Sequence, residues 1–123
     1  DGWETDVGAA RTFVVKGNVF YNNARDGLGT RNSQGGSNIS IYEENIFAEN
    51  GRYGYYKNSP EAIFTTNAFY ANATAETFGN TPIVDSITLA ADPFVDAANG
   101  DFNLNNVAGG GAVLRSTNYT IGG

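Results

Sequence analysis

The segment Gly17-Asn18-Val19-Phe20-Tyr21-Asn22-Asn23 returns as Glu44-Asn45-Ile46-Phe47-Ala48-Glu49-Asn50 and again as Thr66-Asn67-Ala68-Phe69-Tyr70-Ala71-Asn72. Each copy reads Asn, an apolar residue, Phe, two variable positions, Asn. A period shared by three segments of one chain restricts the fold to architectures that stack similar units, and it outranks any local propensity. The match extends upstream: Val14, Ile41 and Ile63 stand four before the first Asn, and Val15, Tyr42 and Phe64 stand three before it. The copies are 27 and 22 residues apart, and a degenerate fourth falls 25 residues on at Asp92-Pro93-Phe94, with Leu89 in the column of Val15.

Short apolar segments at this period, with no helical stripe between them, predict an all-β chain of about four coils, a β-solenoid. Sixteen Gly with 8 Phe and 7 Tyr supply the turns and the strand formers such a chain needs. One coil cannot bury its own apolar face, but coils stacked about 4.8 Å apart lay like residue over like. Phe20, Phe47 and Phe69 then form an interior aromatic ladder. The columns Asn18, Asn45, Asn67 and Asn23, Asn50, Asn72 are assigned to the corners, where Asn tolerates left-handed backbone and its amide can bond to the next coil.

The 123 residues read as a single domain, with a lead-in segment over 1–10, coils over 11–104 and a Gly-rich C-terminal cap or tail over 105–123. Three stretches of unequal length separate the coils. Ala24 to Asn38, rich in Gly, is expected to be an exposed, mobile loop; Gly51 to Glu61 and Ala73 to Asp85 are the others. Trp3, in the lead-in, is expected to cap a core.

A net charge of −6 with only 7 Lys and Arg argues against nucleic acid, whose phosphates need clustered cations. Without Cys or His the chain has no thiolate chemistry, no Ser-His pair and none of the commonest metal ligand. No run of about 18 apolar residues could span a membrane. The start at Asp1 rather than Met suggests a mature or excised piece.

Asp92-Pro93-Phe94-Val95-Asp96, the turn Asn99-Gly100-Asp101, then Phe102-x-Leu104 and the Gly-Ala-rich finish at 109–114 resemble the C-terminal end of right-handed parallel β-helix proteins of the pectate-lyase-like class. The Asn-x-Phe coils resemble the same class, so the likeness covers residues 11 to 115. It implies a right-handed parallel β-helix with a Gly-rich C-terminal cap, on an exported, cell-surface or virion-borne protein. The class holds polysaccharide lyases and hydrolases, tailspikes and adhesins, so fold does not give function.

The lyases of that class use Asp clusters with Ca²⁺ and a basic residue, and the hydrolases use Asp with a nearby His. This chain departs from both. Its acidic pair Glu43-Glu44 sits at adjacent positions, which in a strand face opposite ways. Asp92, Asp96 and Asp101, with Asn99, are weak candidates for Ca²⁺, set against a tight turn at Asn99-Gly100. Arg52, Tyr53, Tyr55 and Tyr56 are the recognition candidates, against the alternative that Tyr55 and Tyr56 lie on a strand, one ring in and one out. Asn38, Asn72 and Asn118 head Asn-x-Ser/Thr sequences.

The sequence therefore reads as a noncatalytic structural or adhesive protein, extracellular, cell-surface or virion-borne, working by self-association and loop contacts and without a cofactor. The alternatives are a fragment of a polysaccharide lyase or hydrolase, or a small glycan-binding module. The ends of a short column need covers, and residues 1–10 and the tail from Val107 are the segments expected to supply them.

Overall fold

The computed structural model describes residues 2–6, 12–31, 39–58, 62–79 and 83–117. The chain runs through β1 (Trp3–Asp6), β2 (Thr12–Lys16), β3 (Val19–Tyr21), β4 (Leu28–Arg31), β5 (Ile39–Glu43), β6 (Ile46–Ala48), β7 (Tyr53–Asn58) and β8 (Ala62–Thr65). It continues as β9 (Ala68–Tyr70), β10 (Ala75–Phe78), β11 (Ile83–Val84), β12 (Ile87–Thr88), β13 (Phe94–Asp96), a 3₁₀ turn (Ala97–Asn99), β14 (Asp101–Leu104) and helix α1 (Gly111–Ser116). The first twelve strands cycle through three parallel sheets in the orders β1-β4-β7-β10, β2-β5-β8-β11 and β3-β6-β9-β12. This all-β arrangement of stacked parallel sheets is compatible with a β-solenoid.

Register follows from which residues each strand must bury. Val15, Tyr42, Phe64 and Ile83 lie in line across the second sheet. Phe20, Phe47, Phe69 and Thr88 do so across the third, and Leu28, Tyr55 and Thr77 across the first. The inward rings interlock. Phe47 stacks on Phe20 at 4.9 Å and on Phe69 at 5.4 Å, and Phe64 reaches Tyr55 at 4.7 Å across the interior. Val14 and Ile63, one position away, point to solvent and are 61% and 53% exposed, the alternation a strand imposes.

The stretches expected as loops between coils supply three of the four strands of the first sheet, β4, β7 and β10; β1 comes from the lead-in. Leu28, Thr30 and Tyr55 are buried there, so β4 corrects the expectation of a mobile excursion over Ala24 to Asn38; residues 32–38 lie outside the described ones. The fourth coil is corrected as well. Ile83 pairs with Phe64 and Ile87 with Ala68, so Ser86 occupies the Asn column and Leu89 does not continue the Val15 column. Asp92-Pro93-Phe94 leads into β13, which pairs antiparallel with β14.

The corners also differ from expectation. The left-handed residues are those before the Asn: Gly17, Glu44, Thr66 and Asp85 at one corner, and Asn22, Glu49 and Ala71 at the other, with φ between 47° and 67°. The Asn that follows turns its amide into the stack. Asn45 Oδ1 accepts from the Asn18 N–H at 2.9 Å, while Asn45 Nδ2 donates to the Val15 carbonyl at 2.9 Å and to Asn67 Oδ1 at 3.0 Å. Asn50 repeats the pattern with Asn23, the Phe20 carbonyl and Asn72. These bonds saturate polar groups where strands end and the inter-strand ladder cannot, which is why Asn45, Asn50 and Asn67 can be buried completely.

The described part of the C-terminal segment, up to residue 117, packs along the side of the column; residues 118–123 of the expected cap or tail lie outside the described ones. Phe94, Ala97 and Leu114 join Ile46, Ala48, Ala68 and Leu89 in a second core on the outer face of the third sheet, so β6 is buried on both faces. Asn105 ties this segment together, donating to the Asp92 and Phe94 carbonyls at 2.7 and 2.8 Å and accepting from the Gly111 N–H at 3.1 Å. A Cβ on Gly111 would come within 2.4 Å of the Asn105 carbonyl oxygen, so this close approach admits only glycine. β1 pairs with β4 in parallel at the other end; the Trp3 side chain lies outside the described ones.

Candidate functional site

Three aromatic side chains gather on the outer face of the first sheet. In a regular strand Tyr53 and Tyr56, three positions apart, would face opposite ways. The alternation is broken between them: Gly54 lies against the ring ladder, where a Cβ would meet Phe47 Cβ at 2.9 Å and Phe69 Cδ1 at 2.9 Å, and Tyr55 is buried as well. The rings of Tyr53 and Tyr56 consequently contact each other at 6.1 Å. Phe78, from β10, stacks on Tyr56 at 4.9 Å with planes 4° apart and meets Tyr53 at 5.3 Å.

Arg52 closes this group. Its guanidinium lies 4.8 Å from the Tyr56 ring centre and 5.2 Å from that of Tyr53, a cation–π arrangement. Asp26 fixes it there, accepting from Arg52 Nε at 2.9 Å and from Arg52 Nη2 on its other oxygen, with the Tyr53 N–H at 3.2 Å as a third donor. Asp26 is 1% exposed, whereas the Arg52 side chain is one-third exposed. Burial pushes the Asp26 carboxyl up; the bonds from Arg52 and from the Tyr53 amide, with the charges of Arg52 and Arg25, outweigh it and hold the group below its ordinary value.

A group whose folded value is depressed adds stability that is fully present above its unfolded value and is lost as pH falls through the folded one. Thermal unfolding between pH 5 and 2 is therefore expected to show a loss that starts near 3.8, the unperturbed value, and continues below it. The Asp26→Asn variant should be less stable at pH 7 and should show a flatter decline below about pH 4. Identical slopes for the two proteins would remove Asp26 from the account.

Of the recognition residues proposed from sequence, Arg52, Tyr53 and Tyr56 come together on the surface and Tyr55 does not. Tyr55 is fully buried, with its hydroxyl 3.1 Å from Thr30 Oγ1 and its ionisation pushed well up by burial. Phe78 and Asp26 escaped sequence reasoning. The signal was spacing: Gly29, Tyr56 and Phe78 each stand six residues after Asn23, Asn50 and Asn72.

Glu43 and Glu44 do not face opposite ways, which corrects the expectation from sequence. Glu44 is the left-handed corner residue with φ of 55°, which swings its carboxylate to the side of Glu43; Lys16 Nζ reaches both, at 3.1 and 3.5 Å. The bond to Glu43 leads in raising the Lys16 value. Asp92, Asp96 and Asp101 serve local geometry: Asp92 accepts the Phe94 N–H, Asp96 the Asn99 amide and Asp101 the Asn103 N–H. Among the described residues no three His, Cys, Asp or Glu side chains converge as metal ligands. Asn72 is bonded to Asn50 and to the Phe47 carbonyl; Asn38 and Asn118 lie outside the described residues.

At the C-terminal end of the stack, where β10 is the last strand of its sheet, lies a concavity of about 190 Å³ lined by Phe69, Tyr70, Ala75, Glu76 and Thr88, among others. Among the described residues no helix is long and apolar enough to cross a membrane. No family model matches the chain, and no curated protein or solved structure is significantly similar to it.

Proposed function

We propose that the chain is a noncatalytic structural or adhesive element of a cell surface or virion, built as a right-handed parallel β-helix of the pectate-lyase-like kind, which meets its partners with the Arg52-Tyr53-Tyr56-Phe78 face. One observation carries the reading. Three aromatic rings stay at the surface, with Phe78 44% exposed, although the interior does not need them, and a buried carboxylate is spent on aiming the arginine across two of them. Aromatic and Arg side chains held rigid in this way are the residue types that dominate recognition surfaces. The acidic pair Glu43-Glu44 favours the same reading, because both carboxylates are engaged by Lys16.

The test is turnover of acidic polysaccharides. Incubation with polygalacturonate at micromolar protein should release no new reducing or unsaturated ends above a protein-free blank. Cleavage that disappears in Glu43→Gln would overturn the noncatalytic reading in favour of a polysaccharide lyase or hydrolase.

A further inference from the structure

We infer that the concavity beside Asn72 is a binding site for a primary carboxamide, presented on an asparagine side chain of a partner polypeptide. The site is separate from the Arg52 face and does not depend on how that face is used.

The second Asn column supplies the geometry. Asn50 Oδ1 accepts from the Asn23 N–H at 3.2 Å and from Asn23 Nδ2 at 2.8 Å, while Asn50 Nδ2 donates to the Phe20 carbonyl at 3.0 Å. Asn72 is held in the same way. Its Oδ1 accepts from the Asn50 N–H at 3.2 Å and from Asn50 Nδ2 at 2.8 Å, and its Nδ2 donates to the Phe47 carbonyl at 2.9 Å. Two donors of one Asn and the carbonyl of the Phe three residues before it therefore form a receptor for one carboxamide. Asn72 and Phe69 are the next such set. Among the described residues nothing accepts from the Asn72 N–H, and Asn72 Nδ2 has one acceptor where Asn50 Nδ2 has two. The Phe69 carbonyl accepts from the Leu89 N–H at 2.8 Å, which leaves its second lone pair for an amide.

The fourth turn does not supply that amide from the column position. With Thr88 in register with Phe69, the residue that follows Asn50 and Asn72 in the column is Ala91. It has no side-chain amide, and its N–H goes to the Gly109 carbonyl at 3.1 Å, where the backbone leaves the stack for β13. The concavity of about 190 Å³ lies here, with Phe69, Asn72, Ala75, Glu76 and Thr88 in its lining.

Charge selects the ligand. Thr88 Oγ1 donates to Glu76 Oε1, which holds a carboxylate in the wall. A carboxylate ligand would set one oxygen against the Phe69 carbonyl and add its charge to that of Glu76, whereas a carboxamide turns an N–H to that side. Asparagine has the reach of the column's own members, from a backbone one strand spacing away, about 4.8 Å.

The test is an NMR titration of the isotope-labelled chain with N-acetyl-asparagine N-methylamide, a capped asparagine. The backbone N–H and side-chain amide signals of Asn72 should shift saturably, and those of Asn23 should not. N-acetyl-aspartate N-methylamide at pH 7 should bind about tenfold more weakly, the effect of replacing one hydrogen bond by an uncompensated contact. Ala75→Leu, at an exposed position of the lining, should weaken the capped asparagine while leaving the circular dichroism native. Acetamide should bind more weakly than the capped residue. Equal affinity for the two capped residues, unchanged binding to a natively folded Ala75→Leu, or no saturable shift at Asn72 overturns the carboxamide site. Acetamide binding as tightly as the capped asparagine overturns the polypeptide source.

Discussion

Replacing Asn45 by Ala is expected to cost about 3–5 kcal/mol of unfolding free energy, from two orphaned backbone groups at about 1–3 kcal/mol each and the loss of the amide between them. The two groups are the Asn18 N–H and the Val15 carbonyl, both bonded to the Asn45 amide at 2.9 Å. Asn45 itself is completely buried, so water cannot readily replace it. Asn18→Ala is the matched control, because Asn18 heads the same column at an exposed position; it should cost under about 1 kcal/mol. Urea titration decides, the midpoint falling with an unchanged slope. Similar losses at the two positions would mean that the ladder does not derive its strength from burial.

Phe47→Ala should be as damaging, about 3–5 kcal/mol, by opening a cavity in the interior where few side chains can move to fill it. Phe47 touches rings on three sides, Phe20 at 4.9 Å, Phe69 at 5.4 Å and Phe64 at 5.6 Å, and its outer neighbours Ile46 and Ala48 are themselves buried. Phe78→Ala, removing a half-exposed ring from the outer face, should cost well under half as much. Calorimetric melting of the two variants separates the ladder, which holds the column up, from the surface stack, which the column displays. A larger loss for Phe78 would reverse those roles.

The repeat made two of the three sheets legible from sequence. Asn and Phe recur in the second turn and third sheet because their surroundings are identical in each coil: a strand end needing an amide, and an interior slot needing a ring. The first sheet was not legible because its inward column changes type at every step, from Leu28 to Tyr55 to Thr77. Only the constant interval of five residues from Asn23, Asn50 and Asn72 marks it. The fourth coil was displaced for a related reason. Ser86 and Thr88 stand where Asn and Phe would be expected, since at the last turn the ring stack ends, and the next segment that resembles the repeat is Asp92-Pro93-Phe94.

The candidate site was half legible. A cluster of Tyr is visible to any reader, but which rings reach the surface depends on Gly54 and Tyr55 both lying inward, where a Cβ on Gly54 would collide with Phe47 and Phe69. Asp26 carries no local mark of burial either. It lies one coil away from Arg52, and only stacking brings the two together.

The C-terminal segment that flanks the third sheet changes how the molecule should come apart. A plain stack of coils behaves as a one-dimensional array in which terminal units fray and inner ones persist. Here Phe94 and Phe102 reach Tyr21 in the first turn, at 6.2 and 5.5 Å, while Leu114 and Leu89 share a core with Ala68 and Ile46 further along. The segment works as a splint: no coil can leave without breaking it, and its own core exists only when all the coils are in place. Such a molecule unfolds in one step instead of unzipping, and it folds slowly, because residues near position 21 wait for partners near position 100 to be made and brought back.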